Sequence, residues 1–458
     1  MRSSRAHGVR AYLCAAVESS LLIGLLTLTA HYLGSARGPA HLTLMPRVVL
    51  VTLVIQLCLY YNDLYEDFAW RRRRELLVRI GKSYAVALGI IAALYLLLPV
   101  LQLPRRVTVA FVALAFVVQV FWRFVFVWGA GHEALARRLL IIGTGSSAQQ
   151  VANEVRRRNL LGFHVAGFLG EHQAEVGRSL GGSPVVGLVE DLEACVEAYG
   201  VEEIVVAVDE RGTVPMAGLL NCRMAGLEVE EAATFQERIT GNIPLYNLRP
   251  SWLVFSRGFD VSPLVQHTKR AGDILASATL LALLAPLMGV VALLVKLTSA
   301  GSILYRQERI GYRGRVFWLT KFRSMQVNAE AEGPVWADSK RDPRTTPIGH
   351  QLRRFRLDEL PQLLNILRGE MSFVGPRPER SHFSETLSEV LPFYKERERV
   401  RPGVTGWAQI KFGYASTIED SERKLQYDLY YIKNMSLFLD VGILFDTFKV
   451  MLPRRKER

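Results

Sequence analysis

Cysteine is scarce in this sequence, and the spacings by which cysteines bind metals are absent. The 458 residues contain four cysteines, Cys14, Cys58, Cys195 and Cys222, with no Cys-x-x-Cys pair and no Cys/His spacing. Neither a disulfide framework nor a zinc site is therefore indicated. We interpret all four as buried thiols in a reducing compartment.

A Tyr-x-x-x-Lys motif is missing as well, since none of the 16 tyrosines has a lysine four residues further on. Membrane-anchored nucleotide-sugar dehydratases and epimerases need this pair, because the lysine lowers the pKa of the tyrosine for proton transfer. The sequence therefore argues against that class of enzyme.

Acidic residues are fewer than basic ones, 43 against 56, which gives a formal net charge of +13. The length predicts two or three domains. Hydrophobic residues make up 50% of the chain, so a membrane protein is the first class to test. The basic excess fits cytoplasmic flanks of membrane helices, a nucleic-acid surface or a site for an anionic substrate. From its placement along the chain we expect no nucleic-acid partner.

Apolar runs in the first part of the chain predict a four-helix transmembrane bundle over residues 1–131. The runs cover residues 11–33, 48–61, 84–103 and 107–127. Each is near the roughly 20 residues that a span needs, the second one when it is extended to residues 45–64. No small-residue cleavage site follows the first run, so we expect an anchor and not a removed signal. A buried helical core is the alternative, but soluble helices seldom lack a polar face so consistently.

Arginines flank these runs in two places. Arg2, Arg5 and Arg10 precede the first run, and residues 71–74 are four arginines between the second and third runs. Because positive residues concentrate on the cytoplasmic side of membrane helices, four spans would return the chain to the cytoplasm at about Gly131.

The pattern changes at Arg138 to RLLIIGTGSSAQQVANEV, an apolar strand followed by a glycine-rich turn and a helical run. It predicts a Rossmann-like α/β domain over residues 132–250, with Gly143 and Gly145 where a pyrophosphate would approach a helix N-terminus. The acidic residue expected about 20 positions later is missing, and Glu171 comes late. A nucleotide site and a structural or regulatory module both remain open.

A further apolar run between Asp273 and Lys296 is long enough to cross a bilayer. Pro286 lies in its middle, where proline removes a helix hydrogen bond and kinks the axis. Basic residues at both ends favour a cytoplasmic position for both. These residues are Lys269, Arg270 and Lys296. We therefore predict a re-entrant membrane helix hairpin over residues 268–298, broken at Ala285-Pro286, with a kinked fifth span as the alternative.

The remaining residues predict an α+β catalytic domain that spans residues 264–458. Its stretch GSILYRQERIGYRGRVFWLTKFRSM interleaves basic residues with aromatic and β-branched ones, which is typical of short strands around a glycine turn. Such a basic cluster can face anionic lipid or hold a diphosphate through arginine forks. Both interpretations stay open.

Residues 357–362 read LDELPQ, which puts two adjacent carboxylates, Asp358 and Glu359, before an apolar helical stripe. Pro361 and Gly369 fit the start and the end of that helix. Carboxylates at a helix N-terminus are ordinary caps. Yet arginines lie on both sides, and a helix N-terminus with arginines is also an anion site. Two carboxylates suffice for phosphoryl transfer, one attacking phosphorus and the other holding Mg²⁺.

Several long motifs follow one another in a fixed order: KLTSAGSILYRQERIG, KFRSM, LDELPQLLNILRGEMSFVGPRPE, RPGVTGWAQI and DLYYIKN. On these residues the chain resembles the bacterial sugar transferase family, the monotopic phosphoglycosyl transferases. The apolar N-terminal runs and the middle domain make it similar to the large polyprenyl glycosylphosphotransferase form. The segment FGYASTIEDSERKLQYDLYYIKN resembles the exopolysaccharide-type branch.

The resemblance implies a ping-pong reaction that starts exopolysaccharide repeat units. Asp358 would attack the sugar-bearing phosphorus of a UDP-sugar and release UMP, while Glu359 would bind Mg²⁺. Undecaprenyl phosphate, bound along the hairpin, would then accept the phosphosugar. Charged positions that match the family around this site are Lys321, Arg323, Arg353, Arg377, Arg309 and Asp428, and those of the hairpin are Lys269, Arg270 and Asp273, with Pro286.

The same resemblance implies a multi-pass protein of the bacterial cytoplasmic (inner) membrane, with its catalytic domain on the cytoplasmic side in contact with membrane lipid. A homodimer stays open. Three departures from the family pattern are Arg354-Phe355-Arg356, Ala285 and Glu370. The first lies close to Asp358 and leaves the choice of sugar open. A non-enzymatic scaffold, in which LDELPQ only caps a helix, is the remaining alternative.

Overall fold

The structure is a computed structural model. It describes residues 17–29, 31, 41–62, 64, 73–130, 136–158, 163–208, 214–245, 248, 250–256, 258–259, 262–326, 329, 344–412 and 417–451. The chain divides into two compact units, Met1–Ile239 and Thr240–Arg458, and each is described by itself. The predicted boundaries at residues 131, 250 and 264 stay predictions.

The first unit begins with apolar helices: α1 (Val17–Thr29), α2 (His41–Tyr61), α3 (Arg73–Leu97) and α4 (Arg105–Ala130). By length and composition, Leu76–Leu97 and Arg105–Val125 can cross a membrane, whereas Val17–Thr29 and Pro46–Tyr61 are shorter. Apolar helices of membrane length are thus confirmed at the third and fourth predicted runs, and the bundle of four spans stays a prediction. Residues 11–16, the arginines at positions 2, 5 and 10, and residues 71–72 lie outside the described residues.

A buried ion pair joins the first and fourth of these helices. Arg123 of α4 and Glu18 of α1 are both fully buried, with Nη2 of the arginine 2.9 Å from Oε1 of the glutamate. Nη1 of the same arginine donates to the carbonyl oxygen of Leu64 at 2.6 Å. Because an unpaired charge inside an apolar core is costly, this pairing ties the two helices together.

A six-stranded sheet follows in the same unit, as the α/β prediction requires. Its strands are β1 (Arg137–Ile142), β2 (Phe163–Gly170), β3 (Ser179–Leu180), β4 (Ser183–Leu188), β5 (Glu203–Val206) and β6 (Glu228–Glu231). They lie in the order β3-β4-β2-β1-β5-β6. All the pairs are parallel except the antiparallel pair of β3 and β4. The strand order reverses at β1, the place where such sheets bind ligands.

Helices cover both faces of this sheet: α5 (Ser146–Arg158), α6 (Leu192–Tyr199), α7 (Met216–Met224) and α8 (Ala232–Thr240). Leu139 and Ile141 of β1 pack with residues of α5 and α8, while Leu140 and Ile142 pack with residues of α6 and α7. Burial on both faces explains why residues 139–142 of β1 are a continuous apolar run.

The second unit contains α9 (Pro250–Phe255), α10 (Pro263–Thr298), β7 (Leu304–Ile310), β8 (Val316–Phe322), α11 (Pro347–Arg354), α12 (Gln362–Arg368), β9 (Ser372–Val374), α13 (Ser381–Val390), β10 (Gly403–Thr405), α14 (Trp407–Lys411), α15 (Ile418–Lys433) and α16 (Leu437–Met451). Strands β7 and β8 form an antiparallel hairpin, which confirms the short strands predicted around the glycine turn. Strands β9 and β10 pair in parallel.

Helix α10 is long and apolar enough to cross a membrane, and it is continuous over 36 residues with Pro286 inside it. The predicted break in the helix at Ala285-Pro286 is therefore not observed. A proline removes one N–H donor, and the hydrogen bonds on either side of it can persist.

Both halves of α10 contact the same globular layer. Before Pro286, Leu280 and Leu281 pack against a buried cluster that includes Ile366 of α12. After it, Val291 and Val295 belong to a second buried cluster. That cluster also contains Phe322 and Leu352.

Candidate active site

The LDELPQ segment forms a short 3₁₀ helix, Leu357–Glu359, between α11 and α12. The cap position of α12 is occupied by Pro361, without a side-chain capping bond. The expectation that Asp358 and Glu359 cap this helix is therefore wrong. Gly369 ends α12 with a φ of 85°, as predicted for a glycine in the left-handed conformation.

Three cations surround the Glu359 carboxylate. Nζ of Lys321 is 3.6 Å from Oε1, and Nη2 of Arg377 is 3.4 Å from the same oxygen. On the other side, Nη1 of Arg356 is 3.3 Å from Oε2. Two of these side chains, Lys321 and Arg377, were predicted from the sequence to lie at the site.

These contacts set opposite protonation behaviour in the two neighbouring carboxyls. Burial alone would raise the pKa of Glu359, but Lys321, Arg377 and Arg356 lower it to about 2. Burial raises the pKa of Asp358, and the charge of Glu359 raises it further. Near neutral pH Glu359 is therefore ionised, while Asp358 holds a proton more readily than an ordinary aspartate.

Lys321 completes this charge cluster from strand β8. Burial lowers its pKa to about 8, although Glu359 acts in the opposite direction. The lysine is therefore a cation near neutral pH that alkaline conditions can discharge.

Arg353 and Arg356 approach the two carboxyls from the end of α11. Arg353 donates from Nη1 to Oγ1 of Thr345 at 3.2 Å, and its charge lowers the pKa of Asp358, against the effect of burial. Arg356 has a φ of 54°, the left-handed conformation that a side chain makes costly. This turn directs its guanidinium to Glu359, a role that is not evident from the sequence alone.

Arg377 lies in the segment Pro376–Glu379, whose four successive carbonyl oxygens all accept hydrogen bonds. Backbone N–H groups of Gly403 and Ile310 donate to the oxygens of Pro376 and Glu379 at 2.9 and 3.0 Å. The other two donors are arginines: Arg397 to the oxygen of Arg377 at 2.9 Å, and Arg309 to that of Pro378 at 3.0 Å. Arg309, predicted as a substrate residue, thus holds this segment.

A buried network stabilises the arginine that supports Arg377. Nη2 of Arg397 is 2.9 Å from Oδ2 of Asp428, and Nη1 donates to the Tyr394 hydroxyl at 2.5 Å. Nearby, Nζ of Lys424 is 2.6 Å from Oε1 of Glu379. Asp428, predicted beside the substrate, therefore acts on the site through Arg397 and does not touch Glu359.

No role for Arg397, Lys424 or Glu379 is evident from the sequence alone. A partial signal was present, because GPRPE and RERVRPG bring charges next to stiff prolines. Pairing across about 30 residues cannot be read from such spacing.

The remaining predicted residues fix the two ends of α10. Lys269 is 2.5 Å from Oδ2 of Asp440, and Asp273 accepts from the Phe373 N–H at 3.2 Å. Arg270 donates to the carbonyl oxygens of Ile366 and Leu367 at 2.6 and 2.7 Å. At the far end, Nη2 of Arg323 donates to the oxygen and hydroxyl of Ser299 at 2.8 and 2.7 Å. None of the four is among the residues that contact Glu359.

The glycine turn of the first unit is built around a carboxylate. Gly143 has a φ of 109°, and a Cβ there would lie 2.6 Å from the Ala207 oxygen. Thr144 donates from Oγ1 to Oε1 of Glu175 at 2.9 Å, while Gly145 accepts from the Gln149 N–H at 3.1 Å. A phosphate near Gly143 and Gly145 would meet the negative charge of Glu175.

The donor set around Asp358 and Glu359 is compatible with Mg²⁺. The described residues contain no group of three or more histidines, cysteines or acids that could enclose a metal. Mg²⁺ often needs only one or two carboxylates and completes its shell with phosphates and water. The cations near Glu359 lie at 3.3–3.6 Å, longer than the 2.7–2.9 Å or so of strong charged hydrogen bonds, so its oxygens can turn to a metal.

The comparison with known proteins covers the part of the chain that contains this candidate site. The profile of the family described as bacterial sugar transferase matches residues 264–454. A UDP-glucose:undecaprenyl-phosphate glucose-1-phosphate transferase of Escherichia coli K12 is 32% identical over 70% of this chain and 68% of its own length. The chain belongs to the bacterial sugar transferase family.

Two other relatives are similar over shorter parts of their own length. A UDP-N-acetylgalactosamine-undecaprenyl-phosphate N-acetylgalactosaminephosphotransferase of Aeromonas hydrophila is 41% identical over 51% of this chain and 54% of its own. An undecaprenyl-phosphate glucose phosphotransferase of Komagataeibacter xylinus is 35% identical over 69% and 59%. The chain thus spans less than two thirds of the length of these two relatives. A profile described as a CoA-binding domain matches residues 61–212.

Proposed function

We propose that the chain transfers a sugar 1-phosphate from a UDP-sugar to undecaprenyl phosphate and so begins exopolysaccharide repeat units. The observation that carries the proposal is the buried Asp358 next to a Glu359 surrounded by Lys321, Arg356 and Arg377. The names of the three relatives above support undecaprenyl phosphate as the acceptor.

In the first half-reaction, a carboxylate oxygen of Asp358 attacks the phosphorus that bears the sugar. The bond from that phosphorus to the oxygen of UMP breaks, UMP leaves, and a phosphosugar-aspartyl ester remains. Lys321 and Arg377 stabilise the negative charge that spreads over the phosphoryl oxygens. The raised pKa of Asp358 suits this role, because a more basic carboxylate is a stronger nucleophile once it is ionised.

Glu359 would hold Mg²⁺, and the bound ion would neutralise charge on the diphosphate of the donor. The low pKa of Glu359 keeps this ligand ionised near neutral pH. Arg356 and Arg377 hold the carboxylate in place next to Asp358.

In the second half-reaction, a phosphate oxygen of undecaprenyl phosphate attacks the same phosphorus, and Asp358 leaves as a carboxylate. The acceptor tail would lie along α10. We infer that α10 is re-entrant, because side chains before and after Pro286 pack on the same unit. The site would then face the cytoplasm of the bacterial inner membrane, where UDP-sugars are made.

The decisive experiment traps the ester. Purified protein is incubated with a panel of UDP-sugars without acceptor, UMP release is measured, and Asp358 is examined by peptide mass spectrometry. We expect one UDP-sugar to give UMP and a phosphosugar adduct on Asp358, and D358N to give neither. UMP release that survives in D358N would refute the covalent role. If the parent protein released no UMP from any UDP-sugar of the panel, a scaffold would be the better explanation.

The re-entrant arrangement has a separate test. Leu264 and Leu297 are both highly exposed, near the two ends of α10. Single cysteines at these positions are exposed to a membrane-impermeant maleimide in right-side-out and inverted vesicles. A re-entrant helix predicts labelling of both in inverted vesicles only, whereas a spanning helix predicts labelling from opposite sides.

A further inference from the structure

The two oxygens of the Glu359 carboxylate have different cation partners. Lys321 and Arg377 both contact Oε1, at 3.6 and 3.4 Å. Among the described residues, the cation at Oε2 is Arg356 alone, with Nη1 at 3.3 Å. Oε2 is therefore the oxygen that becomes available to another ligand when one side chain moves.

The Arg356 side chain can leave Glu359 without breaking any other bond. Glu359 is its only hydrogen-bonding or ion-pairing partner within the part of the chain that the structure describes. The side chain is 31% exposed, so its guanidinium can reach a bound ligand. Arg377 also donates to Oε1 of Gln409 at 3.4 Å, and Lys321 is more buried, within strand β8. Of the three cations, Arg356 is thus the one that exchanges its partner most easily.

The charges near Glu359 favour an anion over a metal ion. Lys321, Arg356 and Arg377 are cations in contact with this carboxylate. Asp358 and Glu359 are too few to neutralise them, even when both are ionised. The resulting positive charge repels a divalent cation and attracts the diphosphate of a UDP-sugar. A bound diphosphate reverses this balance, and a divalent cation is then attracted.

We propose that Arg356 makes metal binding at Glu359 depend on the donor. Without donor, its guanidinium occupies Oε2 and keeps metal ions away. When a UDP-sugar binds, the guanidinium moves to the diphosphate, whose oxygens its fork of donors matches, and Oε2 becomes available. This inference rests on the proposed function, because it takes Glu359 as the metal ligand and a UDP-sugar as the donor.

The test measures metal binding by the full-length protein in detergent micelles. Mn²⁺ replaces Mg²⁺, because carboxylate sites accept both ions and Mn²⁺ accelerates the relaxation of water protons. The acceleration is largest on a slowly tumbling protein, which distinguishes protein-bound Mn²⁺ from Mn²⁺ bound to UDP alone. The parent and its variants are titrated with Mn²⁺ in the presence and absence of UDP.

The variants separate the contact with Glu359 from the general charge. R356Q and R356N remove the charge, and asparagine tolerates the left-handed conformation of this residue. R356K keeps the charge. R354Q is the matched control, because Arg354 is an exposed arginine that lies over the ring of Phe355 and does not pair with Glu359.

We expect UDP to tighten Mn²⁺ binding by about tenfold or more in the parent, R356K and R354Q. Without UDP, R356Q and R356N should bind Mn²⁺ about tenfold more tightly than the parent, and R356Q/E359Q should lose this binding. In UMP release, R356Q should raise KM for the UDP-sugar more than it lowers kcat, because the guanidinium binds the diphosphate.

Equal Mn²⁺ affinity of the parent and of the folded neutral variants without UDP would overturn the proposal. An equal gain in R354Q would overturn it too, because net charge and not the contact would then decide. Binding that persists in R356Q/E359Q would do the same, since the ion would lie elsewhere. If no variant bound Mn²⁺ even with UDP, the metal role of Glu359 in the proposed function would itself be wrong. Melting curves show which variants are folded.

Discussion

Two turns of this chain were expected to meet a phosphate, and their surroundings have opposite charge. The turn at Asp358 is surrounded by lysine and arginine side chains. The glycine turn at Gly143 lies beside Glu175, which also accepts the backbone N–H groups of Glu171 and His172 at 3.0 and 3.3 Å. A glycine motif supplies room for a phosphate, but the charges around it decide whether an anion is attracted.

Neutralising Glu359 should have the largest effect on turnover. E359Q keeps the size of the side chain and removes the charge that Lys321, Arg356 and Arg377 surround. We expect kcat for UMP release to fall by about 10²–10³-fold, a loss typical of one preorganised electrostatic group. E385Q, on an exposed position of α13, is the matched control and should be unchanged. Activity of E359Q within tenfold of the parent would contradict this role.

Substitution of Arg397 should lower turnover less than substitution of Glu359, because Arg397 acts on the site through Arg377. R397K keeps the charge, but lysine lacks the fork that reaches the Arg377 carbonyl and Asp428 together. We expect kcat to fall roughly tenfold, equivalent to about 1.4 kcal/mol. The double variant R377A/R397K should be no slower than R377A, because both changes disturb one interaction. If the losses of the two single variants multiplied in the double variant, Arg397 would act independently of Arg377. Melting curves of each variant distinguish a folding defect from a loss of turnover.

The charge of Lys321 should appear in the pH dependence. Its pKa is lowered to about 8 by burial, so the proton and the positive charge are lost as the pH rises through that value. One pH unit above its pKa about a tenth of the lysine remains charged, and the rate should fall accordingly. In K321R the charge persists, and the alkaline decline should move to higher pH. Superimposable profiles of parent and K321R would exclude Lys321 as the group responsible.

The smallest effect on turnover should come from the glycine turn. G143A places a Cβ against the Ala207 oxygen at a φ of 109°, a strain of order 1–3 kcal/mol. We expect a lower melting temperature and unchanged UMP release per folded molecule. G177A is the control, because Gly177 also has a positive φ but open space around it. Loss of turnover in G143A without loss of stability would mean that the glycine turn takes part in catalysis.

Local patterns predicted the elements of this chain better than its long-range pairings. The run RLLIIGTG predicted a buried strand and a turn, and DELPQLLNILRG predicted a helix that ends at Gly369. Both are present in the structure. Asp358, Glu359, Lys321 and Arg377 were found as motif residues. The partners of Arg309 and Asp428 were not, because Pro378 and Arg397 lie 69 and 31 residues away in sequence.

The prediction that Asp358 and Glu359 cap α12 fails for a local reason. The sequence shows that Asp358 and Glu359 precede an apolar helical stripe, but not that a separate 3₁₀ turn intervenes before Pro361. Pro286 likewise does not interrupt α10, since a proline lowers helix stability without always ending the helix. Three of the four cysteines are free and buried, as expected, and Cys14 lies outside the described residues.

The left-handed conformation of Arg356 sets stability against activity at one position. A glycine there would adopt the same φ without strain, which is worth about 1 kcal/mol or more to the fold. The same replacement would remove one of the cations that hold Glu359. Selection for a more heat-resistant protein would therefore favour R356G, and selection for transfer would remove it.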